Sequence, residues 1–242
     1  MSKSLKLFLG ITYLIILIAF LLVIFSYIEI SRLNEFTYYK ELQVNLEKII
    51  GTNYYLNLSI FFVFCIIWVT LLGFGSPLVL ASGILFGKWV GTLISTLAIS
   101  IGALFLYSVA SFFFKELIFD KLNKKFSKFI YLFNKNEFNY FLIFRLCGGL
   151  GIPFAIQNIL PVIFDIKKIN YFFATLIGFV PMFFIWNSIG AGLNEYIKKA
   201  NEFNLMSLIF TKEIYIPVLL FFFIILVSTI IKKKIFKSKD LN

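Results

Sequence analysis

Histidine is absent from the 242 residues, arginine occurs only at Arg32 and Arg145, and there are just two cysteines, Cys65 and Cys147. Without histidine the usual proton shuttle and the commonest metal ligand are missing. Both cysteines fall in apolar segments, where buried thiols are expected rather than a disulfide or a metal pair. No metal site and no cofactor are therefore expected. Charge is scarce as well, at 14% of residues against roughly a quarter in ordinary soluble domains. The net charge of +11 is carried by lysines, and no basic cluster is interleaved with aromatics on a soluble module, which argues against nucleic acid. Loops facing an anionic leaflet explain those lysines better.

What remains is overwhelmingly apolar: 60% hydrophobic and 20% aromatic. Uncharged runs at 7–28, 49–87, 89–114, 169–194 and 214–231 are near or above the roughly 18 residues that cross a bilayer. An all-α polytopic membrane protein is the expected class, with membrane lipids as its partners and a homo-oligomer left open. Lys3 and Lys6 precede the first run as in a signal peptide, but no small-residue cleavage pattern follows, so it reads as a retained helix.

The 49–87 run would reach nearly 60 Å as one helix, about twice the hydrocarbon thickness. Pro77 lacks an N–H and biases Ser76 away from helical geometry, and Gly73 and Gly75 add freedom, which places a bend there. A re-entrant hairpin over 54–87 is expected, followed by a crossing helix at 89–114. A second irregular stretch, 138–165, is broken by Gly148, Gly149, Gly151 and Pro153. Treating both stretches as hairpins that leave on the side they entered puts fifteen basic residues on one side and seven on the other, as the positive-inside rule asks. Both termini are then cytoplasmic.

The two hairpins enter from opposite sides, each ahead of a crossing helix (89–114 and 169–194). The halves align without a gap at an offset of 76: Gly73 with Gly149, Gly75 with Gly151, Pro77 with Pro153, Ala98 with Ala174, Gly102 with Gly178. This arrangement reads as an inverted repeat, a pattern common in transporters. The flanking parts are 1–53, with a first helix and an external amphipathic segment, and 196–242, with a last helix and a basic tail. Residues 115–137 carry apolar residues on one helical face and lysines on the other, as an interfacial helix or an ordinary basic loop helix would.

Broken backbone at membrane depth must be buried in protein or line a polar cavity. All twelve acidic residues lie outside or at the ends of the apolar segments, and Arg145 is the one ionisable residue well inside one. A lone intramembrane arginine is expected to attract an anion, or else to cap carbonyls at the hairpin break or snorkel to the interface. Ser76, Gln157, Asn158 and Asn187 are the candidate neutral partners of a substrate, with inter-helix hydrogen bonding as the plainer reading for Gln157 and Asn158. Gly83, Gly87, Gly102, Gly178 and Pro181 are read as helix-packing positions. Nothing offers a paired acid and base or an activated nucleophile, so an enzyme is not expected.

Three blocks complete the reading: Pro77, Gly83, Phe86 and Gly87; Arg145, Leu146, Pro153, Phe154 and Asn158; Gly178 and Pro181. With their surroundings over roughly 60–195 they resemble the SNARE-associated Golgi protein family, also called VTT-domain or DedA-like membrane proteins, in its Golgi and bacterial branch. The resemblance implies lipid handling, as a scramblase or as a translocator of phospholipids or polyprenyl phosphates. Cys147 and Pro161 stand where the pattern has proline and glycine, and the carboxylates that the DedA-like branch carries near its first hairpin are missing. Proton coupling through such a carboxylate is accordingly not carried over. A secondary transporter of a small anion or ion, and a non-transporting scaffold, are the alternatives. Heavy use of Lys, Asn, Ile and Phe suggests an AT-rich genome and a bacterial inner membrane.

Overall fold

A computed structural model describes residues 34–72 and 75–231, the turn Ile30–Arg32 and scattered positions within 11–22. Most of the expected first helix (7–28), Gly73 and the basic tail (232–242) lie outside the described residues, as do most side chains of 116–134, including most of the expected lysine face.

Every regular element among the described residues is helical: α1 (Phe36–Thr52), α2 (Tyr54–Leu72), α3 (Ser76–Lys135), α4 (Glu137–Leu146), α5 (Phe154–Ile159), α6 (Lys168–Lys199), α7 (Leu205–Ile209) and α8 (Lys212–Ile231). Four stretches are long and apolar enough to cross a membrane: Tyr54–Leu71, Ser76–Phe113, Lys168–Lys199 and Lys212–Ile230. This is an all-α polytopic membrane protein. The amphipathic α1 buries Tyr38 and Gln43, and its Glu47 pairs with Lys198 near the end of α6.

The 38 apolar residues opening α3 would reach about 57 Å if straight. They do not run straight. Ser82 Oγ lies 3.4 Å from the carbonyl of Gly91, nine residues on, and a Cβ on Gly75 would sit 3.1 Å from Ile99 Cδ1. A straight helix would separate the first pair by about 13 Å and the second by about 36 Å. The reversal is at Gly87, whose φ of +75° is a left-handed conformation that ends one helical limb and lets the next begin. Expected as a packing position, Gly87 has nothing within 4 Å of where a Cβ would stand. Its role is in the turn. Backbone helix then continues from 88 to 135, so the 115–135 stretch extends the crossing helix without interruption.

The short limb of α3 lies back along α2, with Phe86 against Phe61 (5.4 Å) and Tyr54 (6.0 Å). Pro77 sits in the first turn of α3, where its missing N–H costs no helical bond. The second half repeats the scheme. Asn136 caps α4, accepting from Asn139 N–H at 3.1 Å. A glycine-rich tip, Gly148–Gly151, follows; then α5 and a 3-10 turn over Leu160–Phe164 return antiparallel to α4. Asp165, at φ 50°, sits where the chain turns into α6.

Within each half, the first arm runs parallel to the crossing helix. Ile66 and Val69 of α2 lie against Gly102 of α3, and Glu137 and Arg145 of α4 lie against Asn170 and Gly178 of α6. The two crossing helices run antiparallel, with Tyr107 stacked on Tyr171 at 4.5 Å and Asn187 Nδ2 reaching Ser95 Oγ at 3.2 Å. In lipid there is little hydrophobic drive between helices, so close approach through small residues carries the packing. A Cβ on Gly102 would come within 2.8 Å of the Ile66 carbonyl and 2.9 Å of Val69 Cβ, which is why a glycine stands there.

Candidate functional site

Arg145 is 1% exposed, on the last turn of α4. Its Nη2 donates to Asn158 Oδ1 (2.8 Å) and to the Tyr171 hydroxyl (2.9 Å), and Nη1 lies 3.4 Å from Gln157 Oε1. Phe141 and Phe179 lie 4.8 Å from the guanidinium carbon and Tyr171 5.5 Å. Among the described residues no carboxylate pairs with it, and its Nε–H is buried without a hydrogen-bond partner. Burying a cation costs several kcal/mol, and neutral acceptors with cation–π contacts of about 1 kcal/mol each offset only part of that. Among the described residues its charge is met by neutral acceptors and aromatic faces alone.

Gln157 also staples the second tip. Its Nε2 donates to the carbonyls of Ile152 (2.6 Å) and Gly148 (3.2 Å). Gly149, at φ +69°, lies so close to Gln157 that any Cβ would overlap its amide, and Gly148 and Gly151 share the left-handed conformation at +61° and +81°. The tip's path thus depends on left-handed glycines and is tied by one glutamine.

A cavity of about 580 Å³ lies between the tips. Ser76 and Val79 of the first hairpin line one side, and Arg145, Gly148, Gly151 and Gln157 of the second line another. Phe179, Phe183 and Trp186 of α6, with Phe221 of α8, form apolar wall, and Ser228 and Thr229 add hydroxyls. The cavity has a polar end around one cation and an apolar remainder, which suits an amphiphile.

Of the residues expected to bind substrate, Arg145, Ser76 and Gln157 line this cavity. Asn158, fully buried, stands behind Arg145 as its acceptor. Asn187 is elsewhere: its Oδ1 accepts from Ser82 Oγ at 2.5 Å and its Nδ2 donates to Ser95 Oγ, in a second fully buried cluster. Gly83 and Gly91 both press against Asn187, and Gly178 presses against Arg145 Cβ. Pro181, expected to pack, is exposed within α6. Tyr171, Phe141 and the α8 lining escaped the sequence reading. The signal for Tyr171 is indirect: an arginine with no carboxylate needs a hydroxyl or amide acceptor, and Tyr171 opens the crossing helix that follows.

The offset of 76 joins the two clusters. Adding 76 to Val69, Ser82, Ser95 and Gly102 gives Arg145, Asn158, Tyr171 and Gly178. Gly102 packs on Val69 as Gly178 packs on Arg145, and Ser82 with Ser95 share one partner as Asn158 with Tyr171 share another. Only the glycines are identical among the four pairs; valine stands against arginine, and the two serines stand against the asparagine and tyrosine that accept from Arg145.

No solved structure matches the chain. A family model described as the VTT domain matches residues 72–192, a span of 121 residues and so half of the 242, and it takes in Ser76, Arg145, Gln157, Asn158, Tyr171 and Asn187. The chain belongs to the VTT-domain family, that of the SNARE-associated and DedA-like membrane proteins.

Proposed function

We propose that this protein moves a phosphate-bearing lipid, a phospholipid or polyprenyl phosphate, between leaflets through the cavity between two opposed re-entrant hairpins. One observation carries the reading: a buried, carboxylate-free arginine with an unpaired N–H lines a cavity whose other walls are aromatic and aliphatic. The guanidinium takes the phosphate, and the apolar wall takes the start of the chains. The antiparallel crossing helices and the 76-residue correspondence support reading the fold as an inverted repeat, in which a site at the junction of two similar halves is reached from either side. A small soluble anion would use the same cation but would gain nothing from the apolar wall.

The test is reconstitution into liposomes with a fluorescent phospholipid, scoring exchange by quenching the outer leaflet. Arg145→Leu removes the charge, and Arg145→Lys keeps it while losing the shared hydrogen bonds. Both are expected to lower exchange roughly tenfold or more, the loss of one or two charge-assisted hydrogen bonds. Unchanged exchange in folded Arg145→Leu protein sinks the assignment of Arg145. Flux of a soluble anion without lipid exchange selects the small-anion transporter, and neither activity selects a scaffold.

A further inference from the structure

The last apolar helix, α8, is outside the hairpin core, yet its 221–229 half walls the cavity. It is held very unevenly. At its start, a Cβ on Gly192 of α6 would lie 2.8 Å from the Glu213 carbonyl and 2.9 Å from Ile214 Cγ1, the backbone-level contact on which helix association in lipid depends. Ile214 and Pro217 are buried, and no residue from 218 to 230 is. Pro217 stands between the two regimes. It cannot donate to the Glu213 carbonyl four residues back, so that carbonyl faces Gly192 instead, and the helix loses one axial bond where its packing ends. Among the described residues, its contacts beyond Pro217 include Phe221 edge-on to Trp186 at 6.0 Å, and Ser228 lines the cavity together with Cys147 beside the second tip.

We propose that α8 is a lateral gate, pinned at Gly192 and hinged at Pro217, whose 221–229 half swings from the second hairpin tip to open the cavity toward the lipid chains. A lipid whose headgroup enters a polar cavity must leave its tails in the bilayer, so the route needs a side opening. The weakly held wall is the one that faces lipid: Phe222, Phe223, Leu226 and Ile230 are all more than half exposed on α8. This inference rests on the lipid reading for its purpose, and on the packing of α8 for its mechanics.

Ser228 on the free half of α8 and Cys147 beside the tip line the same cavity and supply a latch. In full-length protein with Cys65→Ala, the substitution Ser228→Cys adds a second thiol to that lining, and oxidation to the disulfide ties the free half of α8 to the tip. Oxidised protein in phospholipid liposomes is expected to lose roughly tenfold of its exchange, and reductant to restore it, as for a gating step. Full exchange with the disulfide shown closed by mass would overturn the gate. Should the reduced protein move no lipid, the lipid reading fails by itself, and the gate is decided by a measurement that needs no transport. Cys147 is 7% exposed, so its alkylation by a membrane-permeant maleimide reports opening. Pro217→Ala restores the axial bond and is expected to slow that alkylation several-fold; an unchanged rate overturns the hinge.

Discussion

Tyr171→Phe is the sharpest test of how the cation is held. The substitution removes one oxygen and keeps the ring, so the 4.5 Å stack on Tyr107 and the face presented to Arg145 survive. What goes is the acceptor 2.9 Å from Nη2 and the weaker contacts, at 3.4 Å, to the Asn158 carbonyl and side chain. Hydrogen bonds between helices in a membrane average about 0.6 kcal/mol and reach about 1.7, because the unfolded chain in lipid also finds partners. A charged donor moves this one to the top of that range, so the expected loss is about 1.5 kcal/mol. The oxygen is fully buried and no water-facing route replaces it. Two readouts separate holding from mere packing. Unfolding in detergent by a graded denaturant should show the lost stability. Lipid exchange should fall further than for Tyr107→Phe, which also loses one buried hydroxyl bond, to the Ile166 carbonyl (2.6 Å), but leaves the hydrogen bonds of Arg145 in place. If Tyr171→Phe matches wild type in both, Arg145 is not positioned by Tyr171.

Two further outcomes can be stated. Gly149→Ala forces a side chain into a left-handed residue and onto the Gln157 amide, so it should cost about 2 kcal/mol or more and expose the 148–151 amides in hydrogen exchange; unaltered protection there would contradict the tip geometry. Away from the membrane core, the hydrogen bond from Lys198 holds the Glu47 carboxyl below its usual 4.5, so the pair contributes above that value and its contribution disappears as pH falls through the lowered value. Both groups are more than a third exposed, which limits the contribution to about 0.5 kcal/mol, and Glu47→Gln should flatten the acid limb of a stability profile by that much.

Much of the architecture was open to a reader of the sequence because lipid makes backbone chemistry local. A chain that cannot bond to water must satisfy each amide within its own helix, so long uncharged runs mark crossings, and Pro77, Gly149, Gly151 and Pro153 mark where helix stops. Arg145 stood out for the same reason, as the one charge with no place in an apolar segment. Helix rotation and partner choice carry no such local mark. The last helix is apolar on every side, so nothing in its sequence says that Phe221, Ile224, Ile225 and Ser228 line a cavity while Phe222 and Leu226 are exposed on the outside. Asn187 and Asn158 look alike as residues, but only packing against Gly83 and Gly91 sends the first to Ser82 and Ser95, while the turn at 148–153 sends the second to Arg145. Gly87 reads equally as a spacer or a turn until its φ is known. The sequence alone determined the membrane class, the breaks and the one charge set well inside an apolar segment. Tertiary structure decided what meets that cation, because the meeting depends on which faces of mostly uniform apolar helices come together.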